Sequence, residues 1–223
     1  MLGVLVICLA IVLLLITANN IILAKIAERD KNRLLEETDR RIVLMYTKQV
    51  EMFDSVASNI ANSDMLSEYA DNIYYLDDIM HDNSDIFRYF KLMSNTNEYI
   101  DHIMIYDYEL EYLLNGRNEF AAYVDKAGFP WFIQRVEGRI PSADLDKYCM
   151  WHIYDEYIAI TYKADVLNPS LNRRVFITLN ITQTDFARFL DGPVLTENST
   201  NGFISKDDNF FFSGSEEILM YKT

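Results

Sequence analysis

An α+β fold attached to an apolar N-terminal helix is what this sequence predicts, on three observations. The first 24 residues carry no charged side chain. Residues 25–62 contain neither Gly nor Pro and repeat apolar side chains at helical spacing. From His102 onward, short runs rich in β-branched and aromatic residues alternate with turn signals, without the regular strand–helix alternation of a Rossmann fold.

Composition supports a packed core. Half of the 223 residues are hydrophobic and 15 are Tyr, which a disordered chain would lack. The 199 residues after the uncharged run hold every charge of the chain, a net −14, and are enough for one large core or two small ones. That acidity excludes nucleic acid as a partner, because phosphates need basic patches, and it equally disfavours docking on an anionic membrane surface. Cys8 lies in the apolar leader and Cys149 stands alone in the folded part, so no disulfide closes within that part. Cys149 reads as a small buried side chain. So few cysteines fit a bacterial surface protein, where the sequons at Asn180 and Asn198 carry no weight.

The leader LGVLVICLAIVLLLITANNIILA is continuously apolar from Leu2 to Ile16, and charge first appears at Lys25. As a helix rising about 1.5 Å per residue it is long enough for a hydrocarbon core of about 30 Å. A basic n-region and a small-x-small cleavage site are both missing, so residues 1–24 read as an uncleaved transmembrane anchor and not as a signal peptide. Residues 25–62 follow as a stalk helix, on the order of 57 Å long. Leu35, Ile42, Tyr46, Val50, Phe53, Ala57 and Ile60 form one stripe along it, and a stripe of that length calls for a partner, from the same domain or a second copy.

Ser63-Asp64 is a cap signal for a helix running to about Tyr75, and Asn83-Ser84 opens another with Ile86, Phe87, Phe90 and Met93 on one face. Asp71, Asp77, Asp78, Asp82 and Asp85 lack the glycine-containing calcium-loop pattern and read as a solvated face. His102–Tyr106 and Glu111–Leu114 form a predicted hairpin before Asn115-Gly116. Residues 120–136 mix helical stretches with a turn at Gly128-Phe-Pro-Trp131. Strands are predicted at Tyr148–Tyr154, Tyr157–Ala164 and Arg174–Ile181, a helix at Thr182–Leu190, and a last hairpin pairing Phe203-Ile204 with Phe210–Phe212.

Catalytic signatures are missing. There is no P-loop, no dinucleotide fingerprint, no nucleophile elbow and no zinc-protease helix. His81, His102 and His152 share no metal-ligand spacing, and seven glycines leave little for phosphate-cradling loops. The chain reads as a non-enzyme without metal or cofactor.

The order of elements, a span, a long stalk helix, a helical segment and an antiparallel five-strand run, resembles the extracytoplasmic double-Cache domain, which pairs two PAS-like modules. The stretch RRVFITLNITQTDFARFL, ending at Leu190, looks like the last strand of the membrane-distal module and the helix descending to the proximal one. GFISKDDNFFFSG, Gly202 to Gly214, resembles the opening hairpin of a Cache module, with Asn209 where glycine is common. The nearest group is the YesM-type sensor histidine kinases of Gram-positive bacteria. The resemblance implies four parts: an anchor at 1–24, a stalk at 25–62, a distal sensor module at 63–190 and the start of a proximal module at 191–223. It implies a ligand-sensing input region of a two-component receptor; a chemoreceptor sensor or an anchored binding module without transduction are the alternatives.

Such modules bind small molecules between the sheet and its covering elements, and the partner is then a small molecule or an extracytoplasmic binding protein. Trp131 has no adjacent arginine, which departs from the amino-acid-binding subgroup. Tyr106, Trp131, Trp151 and Tyr162 are candidates for an aromatic pocket, with Asp165 as polar anchor. Tyr157, Ala159, Thr161 and Tyr162 cannot all point to one side of a strand, so some are expected to be exposed. The positive-inside rule alone would put Lys25, Arg29, Lys31 and Arg33 in the cytoplasm. The sensory character of the domain outweighs it, and residues beyond about 25 are expected outside the cell membrane. A homodimer through the stalk is expected. So is a longer gene, with basic residues upstream and a second span and output domain downstream.

Overall fold

The computed structural model describes residues 2–67, 84–108, 111–124, 149–154, 156–165, 174–191, 202–204, 209–213 and 218–222. For residues 2–10, Val12, Ser84, Phe120, His152, Tyr154, Asp165, Arg174, Asp191 and the last three strands after Gly202 it describes the backbone alone. The fold is α+β, with a long N-terminal helix and a six-stranded antiparallel sheet. The chain divides into two compact units, Met1–Val50 and Glu51–Thr223.

Helix α1, Leu2–Ala61, runs through both the apolar leader and the predicted stalk without a break. In the first unit Leu13 to Ile16, Ile21 to Leu23 and Ile26 are each more than half exposed. The hydroxyl of Thr17 donates to the carbonyls of Leu13 and Leu14, both at 2.9 Å, so the polar group in this apolar stretch is satisfied within the helix. Among the described residues no helix is long and apolar enough to cross a membrane. The side chains of residues 2–10 and Val12, part of the uncharged run, lie outside that description. The anchor at residues 1–24 therefore stands on the sequence alone.

In the second unit the end of α1 joins the core: Phe53, Val56, Ala57 and Ile60 are buried. The helix stops at Asn62-Ser63, where the Ser63 hydroxyl donates to the Ile60 carbonyl at 2.8 Å. The same oxygen accepts from the Leu66 amide at 3.2 Å, capping the helical turn at residues 64–67 as the cap signal predicts. The rest of that predicted helix lies outside the described residues. Helix α2, Ser84–Ser94, buries Ile86, Phe87, Phe90 and Met93, the four residues that the helical spacing selects. Asp85 pairs at the surface with Arg88 at 3.2 Å, and the other four aspartates of the acidic segment lie outside the described residues.

The sheet is built from β1 (His102–Asp107), β2 (Tyr112–Asn115), β3 (Phe120–Tyr123), β4 (Cys149–Tyr154), β5 (Tyr157–Asp165) and β6 (Arg174–Thr182). Their order is β3-β2-β1-β6-β5-β4, so the first and last strands pair at its centre. Strand β3 corrects the expectation of helical stretches from Phe120. Its four residues are too short a run to show a period, and what makes them a strand is the pairing of Phe120 to Tyr123 with β2. The intervening turn brings the Gly116 amide to the Ile103 carbonyl at 2.9 Å. A β-carbon at Gly116 would lie 2.9 Å from that oxygen and 3.3 Å from the Phe90 β-carbon, so the approach requires glycine.

Helix α3, Gln183–Asp191, follows β6 directly. Thr182 caps it, its hydroxyl oxygen accepting from the Asp185 amide at 3.0 Å. The α3 residues Phe186, Phe189 and Leu190 are fully buried. Beyond it, β7 (Gly202–Ile204), β8 (Asn209–Ser213) and β9 (Ile218–Lys222) form a second antiparallel sheet. The hairpin of β7 and β8 matches the sequence, whereas β9 is a third strand that the sequence left unread.

One face of the large sheet is an apolar core under the helices. Phe53 of α1 meets Trp151 and Phe189 edge-on, at ring-centre distances of 6.0 and 6.5 Å, and Trp151 also packs on Phe186 at 6.2 Å. Side chains alternate along strands, so Ile103, Ile105, Ile158, Ile160, Ile177, Leu179 and Ile181 share this face, all buried.

Candidate ligand site

The second face of the sheet has a different chemistry. The register sets three rows across β1, β6 and β5: His102, Asn180 and Ala159; Met104, Thr178 and Thr161; Tyr106, Phe176 and Lys163. Apart from Lys163, which is half-buried, all of these side chains are buried. Tyr157, Ala159, Thr161 and Tyr162 are likewise all buried, on both faces of β5. This corrects the expectation that some would be exposed. The strand is interior on both sides, so alternation along it separates two buried environments and not core from solvent.

Around Tyr106 and Phe176 the face is apolar: these two form a cluster with Met104 and Leu113, flanked by Tyr108 and Val124, and the Tyr106 hydroxyl donates to the Val124 carbonyl at 3.3 Å. The first two rows make a polar stripe. The hydroxyls of Thr161 and Thr178 lie 3.1 Å apart and share a hydrogen bond. Asn180, 0% exposed, has neither its amide nitrogen nor its amide oxygen hydrogen-bonded. Leaving a buried amide unpaired costs on the order of 1–3 kcal/mol per group, so native structures seldom do so without a purpose.

At the sheet end the stripe meets a charged rim. His102 Nδ1 lies 2.7 Å from Asp101 Oδ2, and its ring meets the Tyr157 ring edge-on at 5.0 Å. Burial pulls the His102 pKa below its usual value, although Asp101 opposes the shift. Arg117, on the β2–β3 turn, donates to Glu156 at 2.9 Å and places its guanidinium 5.2 Å from the centre of the Tyr157 ring. Burial, reinforced by Glu156, pushes the Tyr157 phenol well above its usual range. The neighbouring Tyr157 hydroxyl and then the hydrogen bond from Arg117 hold the Glu156 carboxyl below the ordinary carboxylate range.

The sequence-predicted site residues do not converge on one pocket. Trp151 and Tyr162 lie on the helix-covered face, where Trp151 is enclosed by Phe53 and Phe186 and the Tyr162 hydroxyl donates to Asp54 Oδ1 at 3.1 Å. Burial, with Cys149 and Asp54 beside it, raises the Tyr162 phenol far above its usual range. Tyr106 lies on the opposite face, separated from them by the sheet. Asp165 ends β5, its backbone paired with Arg174, and its side chain lies outside the described residues, as does Trp131 altogether. Sequence reasoning passed over Asn180, Thr178 and Thr161. The signal was present in VFITLNIT, where Ile177, Leu179 and Ile181 alternate with Thr178, Asn180 and Thr182, polar where a two-sided core strand would be apolar.

Among the described residues no group of three or more His, Cys, Asp or Glu side chains is placed to hold a metal ion. The Thr161–Thr178 pair and the His102–Asp101 pair supply hydrogen bonds, suited to holding a small molecule between polar partners. No family model matches the chain, and no curated protein matches it.

Proposed function

We propose that this chain is the ligand-sensing input region of a membrane-bound receptor of the double-Cache kind, feeding a histidine-kinase output. The observation that carries this is the architecture: an antiparallel sheet with one face packed on the end of a long N-terminal helix. The effect of a ligand has a short route to the helix. Thr161 faces the polar stripe, while its neighbour Tyr162 projects to the other side of β5 and holds Asp54 of α1. A shift of β5 on binding would therefore move a side chain anchored to α1, and ligand affinity that differs between two positions of the helix would drive the switch. The uncharged run of residues 1–24 supports an uncleaved anchor, with the domain outside the cell membrane and the stalk paired in a homodimer.

Two measurements test the proposal. With Lys91, exposed on α2, changed to Cys, a membrane-impermeant maleimide should label intact cells; labelling only after lysis overturns the extracytoplasmic assignment. A thermal-shift screen of the full chain in detergent against a metabolite library should find at least one stabilising compound. Silence across the library overturns the sensor assignment.

A further inference from the structure

We propose that Lys25, Arg29 and Arg33 form a ridge on α1 that binds the phosphate headgroups of anionic phospholipid. The proposal rests on the reading of residues 1–24 as a membrane anchor and adds what the helix meets where it leaves the membrane. The three cations stand four residues apart, so they lie one above another on one face of the helix. With Glu28, Asn32 and Glu36 they line one open groove. Arg29 has no acidic residue three or four positions away in either direction; its neighbours there are Lys25, Ile26, Asn32 and Arg33. Like charges at that spacing weaken a helix, so the sequence sets a repulsive row where a carboxylate would have stabilised the turn. Among the described residues, Lys25, Arg29 and Arg33 are exposed and make neither a hydrogen bond nor an ion pair. An anionic partner relieves that repulsion.

The height of the ridge matches a headgroup layer. Ile21, Ile22, Leu23 and Ile26 are each more than half exposed, so the apolar surface ends where the cations begin. At about 1.5 Å per residue Arg29 lies about 6 Å beyond Lys25 and Arg33 about 12 Å, and a headgroup layer is about 5–8 Å thick. Side chains of an α-helix lean toward its N-terminus, here toward the apolar run, so the long Arg33 side chain reaches back into that layer. Residues 25–33 hold four cations, Lys31 being the fourth, against Glu28 and Asp30. Exposed charges more than a Debye length away, about 8 Å at physiological salt, are screened. The net −14 of the chain therefore does not decide what this short segment binds. The phosphate of a zwitterionic lipid already has a cation of its own, whereas that of phosphatidylglycerol has none and can accept two hydrogen bonds from one guanidinium.

The test places the full chain in phosphatidylcholine vesicles with a trace of spin-labelled phosphatidylglycerol or spin-labelled phosphatidylcholine, and compares the fraction of each label that the protein immobilises. At about 0.1 M salt phosphatidylglycerol should be preferred about fivefold, roughly what one cation contributes at an anionic surface, and at about 1 M salt the preference should fall toward one. The triple variant Lys25→Gln, Arg29→Gln, Arg33→Gln should abolish it. The control Arg40→Gln, Arg41→Gln, Lys48→Gln removes as many charges, all about 22 Å or more beyond Lys25, and should leave it intact. All six residues are exposed and Gln is a good helix former, so both variants should keep the wild-type unfolding midpoint. A chain that does not float with phosphatidylcholine vesicles overturns the anchor and the headgroup site with it. Flotation without a phosphatidylglycerol preference overturns the headgroup site alone, as does an equal loss in the two triple variants. If the first variant keeps the preference but loses chemical cross-linking between two copies, the cations pair with a second chain and the headgroup site is overturned as well.

Discussion

Replacing Phe53 with Ala tests whether the end of α1 is part of the core of the second unit. Phe53 is 0% exposed and has an edge-on aromatic neighbour in Trp151, at 6.0 Å, and in Phe189, at 6.5 Å. An aromatic side chain buries about 150–250 Å2, which at about 25 cal/mol per Å2 gives about 4–6 kcal/mol as an upper bound. The unfolded chain already hides part of that area and alanine keeps the β-carbon, so the loss should be about 3–5 kcal/mol. For a domain of this size that lowers the unfolding midpoint by roughly 6–20 °C. Urea and thermal unfolding of the full chain in detergent measure both quantities. Met52, the preceding residue, is 44% exposed, and Met52→Ala should change stability by less than about 0.5 kcal/mol. A loss below about 1 kcal/mol for Phe53→Ala, or equal losses for the two variants, would refute the placement of α1 in the core and with it the route from β5 to the helix.

Tyr162→Phe removes the hydroxyl that donates to the Asp54 carboxylate at 3.1 Å, and should cost about 1.5–3 kcal/mol while leaving ligand affinity within twofold, because Tyr162 faces away from the polar stripe. Denaturant titration beside a binding curve separates the two effects. His102 sets a pH dependence: its folded pKa is below the unfolded value of about 6.5, so its contribution is complete above that pH and is lost as pH falls toward the folded value, where the unfolded chain takes up the extra proton. A His102→Gln variant should therefore show a flatter stability profile than the wild type between pH 7 and pH 5, read from unfolding midpoints.

Much of the fold was legible locally. The uncharged run, the Gly- and Pro-free stalk and the 3.6-residue spacing of Ile86, Phe87, Phe90 and Met93 each point to one structure, because the period of apolar side chains mirrors the geometry of the element. Strands β1, β2, β4, β5 and β6 came within one or two residues of their predicted bounds for the same reason, aided by Asn115-Gly116 and Asp155-Glu156 at the turns. Strands β3 and β9 were not legible, since runs of four or five residues have little period of their own and depend on a neighbouring strand.

The site divides along the same line. Sequence alone determined that β5 and β6 are strands and that their side chains alternate. It did not determine what lies on either side, because alternation assigns residues to two faces without saying which face is covered, or by what. Only the tertiary structure decided that both faces are buried, that Trp151 and Tyr162 belong to the helix-covered core, and that Tyr106 lies across the sheet from them. The same holds for Asn180. A polar residue in a strand is unremarkable in sequence, since a solvent-facing amide costs nothing; its significance arises when long-range packing removes water from it and leaves both of its polar atoms unpaired.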